Sequence, residues 1–362
     1  MTTNAFQIAV MAGDGIGPEV MDACLQVVNA AVEKIGGPGL RFIDAPGGAQ
    51  YYRDHGTDLP DSSFEIAKNA DAILFGAMGL PDVRKTDGTE INPQLDLRFG
   101  LELYAGVRPV RVLPGAPTPL KDSRAADIDL VLIRENTEGM FADIRKPRVT
   151  DPDQAEDRCL ITRAGATRVI EYAFQLAATR VRTLTDARRV TCVDKANVLH
   201  SMAFWRQVFE DVHTRHPNID ADYAYVDAMA LNLVKHPWDY DVMVMENLFG
   251  DILSDLTAGI VGGLGMAPSG DIGDVHGLFQ PSHGSAPDIA GKGLANPVAM
   301  FLSASMMLNW LGHRHGDSHA TEAAALIDNA VARAFARGAV QPVEFGGQHG
   351  TAAITKAVLA EI

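Results

Sequence analysis

Two aspartates stand in an otherwise apolar run, GDILSDL, at positions 250–256. Asp251 and Asp255 are four residues apart, so on a helix their carboxylates share one face, a turn apart. Like charges at that spacing repel by roughly 0.2–0.5 kcal/mol on an exposed helix, and a positive partner should offset that repulsion. A third acid, Asp227, lies in YVDAMALNLV. Three carboxylates, completed by water, suit a hard divalent cation such as Mg²⁺ or Mn²⁺. The same residues also fit plainer roles: Asp251 near a helix start, where the dipole favours an acid, and Asp255 on a solvated face.

Arg98, Arg108 and Arg134 supply opposite charge. Arg108 and Arg134 follow strand-like runs, and guanidinium forks bind carboxylates through two parallel hydrogen bonds. In a chain with 46 acids, three unrelated surface ion pairs are the competing explanation. Lys195, in TCVDKANV, stands at a strand end. Beside arginines and an apolar wall its pKa would fall, and it could act as a base; a surface pairing with Asp194 is the alternative. The segment HGSAPDIAGKGLANP, 283–297, is a Gly-, Ser- and Pro-rich loop with Asp288 among its few charges. Such a loop can hold a nucleotide through backbone groups. GDGIGPE departs from the G-x-G-x-x-G pattern, so the ordinary dinucleotide fingerprint is missing. That turn reads as a strand-to-helix connection.

Short apolar runs ending in polar clusters would position these groups. FQIAVMAGDG, DAILFGAMG, DLVLIREN, RRVTCVDKAN and YDVMVMENLFG each read as a strand with its turn. Pro18 suits a first helical turn, and the helix from there should stop at Gly36-Gly37-Pro38. Strands alternating with helices predict an α/β fold. Ligand groups in such folds gather at the carboxyl ends of strands, where Arg134, Glu135, Asn136, Asp194, Lys195, Asn197, Glu246 and Asn247 fall. NPVAMFLSASMMLNWLG is apolar almost all round and should be buried, with a subunit contact as one place for it. SHATEAAALIDNAVARAFARG reads as a capped amphipathic helix.

Bulk properties narrow the function classes. At 362 residues the chain is long for one core and predicts two lobes or domains. A formal charge of −15 argues against a nucleic-acid coat, while a local arginine cluster can still attract a small anion. Cys24, Cys159 and Cys192 show no C-x-x-C spacing, which favours reduced thiols and a cytoplasmic location. No segment approaches the roughly 18 apolar residues of a membrane span, and the N-terminus does not read as a signal peptide.

Taken together, GDGIGPEV, LYAGVRPVR, IRENTEG, VDKANVL, NLFGDILSDL, GGLGMAPSG and HGSAPDIAGKGLANP resemble one family, in its order and over essentially the whole chain. It is the metal- and NAD(P)-dependent β-decarboxylating dehydrogenases, which include isocitrate, homoisocitrate, 3-isopropylmalate, tartrate and D-malate dehydrogenases. The resemblance implies an isopropylmalate dehydrogenase-like α/β fold of two domains. The first would join 1–104 to 263–362 on the cofactor side. The second would be 105–262, the metal and dimer side, with an arm at about 144–163. It implies a homodimer with shared sites, Lys195 and Asp227 serving the neighbouring subunit. It makes Asp227, Asp251 and Asp255 the ligands of Mg²⁺ or Mn²⁺. Lys195 becomes the base acting through water, and Arg98, Arg108 and Arg134 hold the substrate's β-carboxylate. Asn197 and the loop residues His283, Gly284, Ser285, Ala286, Asp288, Ile289 and Asn296 become the cofactor site. Asp288 falls where NAD-dependent relatives carry the acid that meets the adenosine ribose; a carboxylate there repels a 2′-phosphate, so NAD is expected over NADP.

The chain departs from the family pattern in places. RENTEGMFAD has Phe141 where a tyrosine usually helps protonate the enolate, and phenylalanine has no proton to give. Before Arg98 the chain reads KTDGTEINPQLDLR, which puts Asn92 and Gln94 where isopropylmalate enzymes carry leucines. Buried against an isopropyl group these would go unpaired, at about 1–3 kcal/mol, so a malate with a polar third substituent is expected. A 3-isopropylmalate dehydrogenase is the alternative, and a non-catalytic regulatory subunit the alternative of another class. Gln280 replaces a common Glu in FQPSHGSAP.

Overall fold

The computed structural model describes residues 5–146, 151, 153–180 and 188–362. Residues 147–150 and 152 of the expected 144–163 arm lie outside these. The chain forms two compact units. The terminal unit comprises Met1–Glu102, Leu113–Pro119 and Val261–Ile362; the middle unit comprises Leu103–Val112 and Leu120–Ile260.

The N-terminal elements are β1 (Phe6–Gly13), α1 (Gly17–Ile35), β2 (Leu40–Asp44), α2 (Ala49–His55), α3 (Asp61–Asn69), β3 (Ala72–Ala77) and α4 (Pro93–Gly100). The middle unit adds β4 (Ala105–Arg111), β5 (Asp129–Glu135), α5 (Arg163–Thr179), β6 (Arg189–Asp194) and α6 (His200–His213). It continues with β7 (Asp220–Tyr225), α7 (Val226–Lys235), β8 (Val242–Met245) and α8 (Asn247–Ile260). The chain ends with β9 (Pro268–Ile272), β10 (Gly277–Pro281), α9 (Val298–His315), α10 (Ser318–Ala336) and α11 (Thr351–Leu359).

In the terminal unit the strand order is β2-β1-β3-β10-β9. The first four strands run parallel, and β9 is antiparallel to β10. β3 is buried along its whole length, as a parallel strand covered on both faces must be. Pro18 does sit in the first turn of α1, and Gly36 closes it at φ +66°, a left-handed cap that glycine adopts without strain. α9 is apolar all round because its own unit covers it. It packs against α10, β9 and β10, and Ser305 Oγ donates to the Ala324 carbonyl at 2.9 Å. A subunit contact is therefore not needed to bury it.

In the middle unit the order is β4-β5-β8-β6-β7, with β4 antiparallel to β5 and the rest parallel. This corrects one sequence expectation. Arg108 does not follow a strand but lies inside β4, opposite Leu132, and Arg134 lies inside β5, opposite Gly106. Glycine and proline in AGVRPVR mask a strand that long-range pairing creates. Among the described residues no helix is long and apolar enough to cross a membrane.

Candidate active site

The buried Glu246 directly follows β8. Its carboxylate accepts the backbone N–H groups of Leu248 (3.0 Å) and Phe249 (2.8 Å), which open α8, and that of Met140 (3.3 Å). Burial raises its pKa against the opposing pull of those donors. The helix so fixed carries Asp251 and Asp255, both on its exposed face. The positive partner that their spacing demanded is Arg134. Its Nη1 donates to Asp251 Oδ1, its Nε donates to Asn247 Oδ1 at 2.8 Å, and its guanidinium lies 5.6 Å from the Phe141 ring centroid. Asn247 in turn donates to the Glu138 carbonyl at 3.0 Å. Gly250 allows this approach: a Cβ there would fall 2.6 Å from Arg134 Cβ and Cγ. Partial burial and the neighbouring Asp251 raise the pKa of Asp255, while Arg108 and Arg134 oppose the rise. Asp251, Asp255, Arg108 and Arg134 thus form one charged cluster.

Lys195 and Asp227 form a second cluster in the same unit. Lys195 Nζ donates to Asp227 Oδ1 at 2.5 Å and lies 5.8 Å from the Tyr225 ring centroid. The lysine holds the Asp227 carboxyl below its usual range. The fully buried Asp194 fixes the turn. It accepts from the Ala196 N–H at 2.8 Å and from Arg206 Nε and Nη2 at 2.7 and 2.8 Å, so its partner is Arg206 and not Lys195. Asn197 is exposed beside it. Among the described residues no group of three His, Cys, Asp or Glu side chains converges within one chain. Asp227 therefore does not join Asp251 and Asp255 in the protomer. Those two offer hard, solvent-facing oxygens whose mutual repulsion a cation would relieve, and this suits Mg²⁺ or Mn²⁺.

In the terminal unit, α4 begins at Pro93 after Asn92. Gln94 Nε2 donates to Asn92 Oδ1 at 3.1 Å, while the buried Gln94 Oε1 has no partner. Arg98 is four residues on, on the same helix face, and is buried against Asp271 of β9.

The 283–297 loop is anchored from below. Asp14, in the turn after β1, accepts the N–H groups of Ala49, Gln50 and Gly79 at 2.7–2.8 Å. Ile16 N–H donates to the Ser285 carbonyl at 2.8 Å, and Ser285 Oγ donates to the Gly79 carbonyl. Gly15 is tight here, since a Cβ would sit 2.0 Å from the Ser285 carbonyl oxygen. Gly284 and Asp288 are exposed, Ile289 is half-buried and Ala286 has φ +38°. Asn296 is buried, its amide donating to Glu344 and accepting from the Val298 N–H. His283 Nε2 is buried without a partner, and burial lowers the ring's pKa. An orphaned ring nitrogen in a glycine-flanked loop fits a nucleotide's polar groups. Sequence reading missed Asp14, Arg206, Asp271 and Glu344 as the partners of these segments.

Residues 7–360 match the isocitrate/isopropylmalate dehydrogenase family. A protein named a probable tartrate dehydrogenase/decarboxylase from Agrobacterium vitis is 38% identical over 98% of this chain and 96% of its own. A 3-isopropylmalate dehydrogenase from Thermobifida fusca is 41% identical over 92% of each. The crystal structure of isocitrate dehydrogenase from Methylococcus capsulatus superposes with a TM-score of 0.84 at 33% identity, covering 98% of this chain and 99% of that one.

Proposed function

The chain belongs to the isocitrate/isopropylmalate dehydrogenase family, and on that premise we propose that it oxidises and decarboxylates a 3-substituted malate with a polar third substituent. The cofactors are NAD and Mg²⁺ or Mn²⁺. The observation that carries the substrate is Gln94: its buried Oε1 lacks a partner on the helix face that presents Arg98. An isopropyl group would leave it unsatisfied; a hydroxyl would donate to it.

Asp251 and Asp255, with Asp227 of the neighbouring subunit, are the residues to hold the metal. Bound Mg²⁺ or Mn²⁺ supplies Lewis-acid polarisation of substrate oxygens, and NAD a hydride acceptor. Lys195 takes the proton from the substrate's C2 hydroxyl, directly or through water. The adjacent Asp227 carboxylate and the Tyr225 ring hold the ammonium that results. Arg98, Arg108 and Arg134 orient the carboxylates, one of which leaves as CO₂. Phe141 packs on Arg134 and gives no proton, so the enolate is protonated by water. Asn197, the loop residues and Asp288 hold NAD. A homodimer is supported by the exposed apolar side chains Leu231, Val234 and Ile252 on α7 and α8, which pack together. The terminal unit is the cofactor side and the middle unit the metal and dimer side, in a cytoplasmic enzyme.

The test is NADH formation with Mn²⁺ on 3-isopropylmalate, isocitrate, homoisocitrate, D-malate and tartrate, with CO₂ measured alongside. Turnover on a polar-substituted malate, lost on Lys195→Ala and weakened about tenfold or more by Gln94→Leu, is expected. Turnover on 3-isopropylmalate alone would overturn the substrate assignment.

A further inference from the structure

Arg98 is already paired within its own unit. Its Nε and Nη2 both donate to Asp271 Oδ2, at 3.3 and 2.9 Å, and Gln280 Nε2 donates to the same oxygen at 3.2 Å. Arg98 is 5% exposed and Asp271 fully buried. Asp271 lies on β9 and Gln280 on β10. These strands are antiparallel neighbours, with Asp271 opposite Leu278 and Gln280 opposite Ser269. The two side chains are thus diagonal neighbours on one face of the sheet.

Dry surroundings make this geometry selective. A buried guanidinium needs one counter-charge, and Asp271 provides it. A carboxylate at 280 would meet Asp271 Oδ2 across the distance that the amide now bridges. Two carboxylates that close do not both ionise; one is forced to keep its proton. The amide donates instead. Glutamine is therefore the residue type this pair requires, which accounts for Gln280 in FQPSHGSAP.

We infer that Asp271 and Gln280 are joint positioning residues for Arg98, a single negative charge that grips its Nε–Nη2 edge and leaves the Nη1 side for substrate. This rests on the substrate-binding role proposed above for Arg98. The charge of Arg98 is balanced before substrate arrives. What it offers is therefore direction and a ready donor more than net attraction; a carboxylate remains its stronger acceptor, and a neutral hydroxyl oxygen can accept from it as well, more weakly.

Four proteins test this: the wild type, Asp271→Asn, Gln280→Glu, and the double variant, which moves the acid one strand over. Thermal unfolding at neutral pH is measured first. Both single variants should melt lower. The double should recover at least half of their summed loss, because one carboxylate again stands beside Arg98. In steady-state kinetics on the substrate found in the panel, each single variant should raise KM about tenfold while kcat changes less than about threefold. The double should return KM most of the way. Melting losses that simply add in the double variant would overturn the pair. Single variants that melt lower yet keep the wild-type KM would overturn the positioning role. A wild type silent on every malate would count against the proposed function instead, and the melting cycle alone would then decide whether Asp271 and Gln280 act together.

Discussion

Replacing Gly250 by alanine should loosen α8, although alanine is the better helix former. The new Cβ would lie 2.6 Å from Arg134 Cβ and Cγ, whereas carbon atoms rest about 3.5–4.0 Å apart. Those carbons are close to the backbone of β5 and cannot swing away, so the helix must retreat by about 1 Å. Overpacking of this kind costs about 1–3 kcal/mol, and helix propensity returns about 1 kcal/mol. The net expectation is a loss of about 1 kcal/mol, or 2–4 °C in melting temperature for a unit of this size. The retreat also draws Asp251 from Arg134, so half-maximal activity should need more Mn²⁺. The same helix holds its own control. Gly259 is exposed, and a Cβ there would meet nothing within 4 Å. Gly259→Ala should therefore stabilise, by about 0.5–1 kcal/mol. Thermal unfolding of both variants and a Mn²⁺ titration decide the matter. If Gly250→Ala melts at or above the wild type with an unchanged Mn²⁺ response, the close approach does not restrain α8.

Phe141→Tyr should raise the rate of CO₂ release relative to NADH formation, because a phenol then stands beside Arg134; an unchanged ratio would show that no acid is missing there. Comparison of NAD with NADP should favour NAD by about tenfold or more in kcat/KM, and Asp288→Ser should narrow the gap; equal use of both by the wild type would remove that role for Asp288. Glu246 has a raised pKa in the folded state, so the folded protein binds its proton more tightly than the unfolded chain. Its contribution to stability is therefore fully present below the unfolded carboxyl's ordinary pKa, 4.5, and is lost as pH rises through the higher folded value. Denaturant unfolding across that window should show this downward slope in the wild type and a shallower one in Glu246→Gln. That variant should also melt lower at every pH, because an amide cannot accept all three backbone donors.

The local signals in the sequence were of two kinds. Pro18 and Gly36 bracket α1, and runs such as DLVLIREN are buried β-strands, because steric and burial rules act over a few residues. Four-residue spacing put Asp251 and Asp255 on one helix face for the same reason. Partnerships across the chain were not legible. Asp271 lies 173 residues from Arg98, and nothing near either marks the other. Arg134 answers the Asp251–Asp255 repulsion from a separate strand. β4 escaped because its Gly and Pro read against a strand, while its pairing with β5 is made at a distance. β9 and β10 escaped because GDIGDVHG looks like loop, whereas its first three residues end β9, 273–276 make the hairpin turn and Gly277 opens β10.

Asp14 gathers three backbone N–H groups, from the start of α2 and from Gly79, and Ser285 ties Gly79 to the loop at 283–297. The floor beneath that loop is therefore ordered when the chain folds. A ligand settling there has little backbone left to freeze, so its association entropy reflects its own lost motion and released water more than any rearrangement of the protein. Swapping Asp14 for a residue with fewer acceptors would move that ordering from folding to binding, and the loss would surface in affinity through the Ala49, Gln50 and Gly79 backbone that its carboxylate now holds.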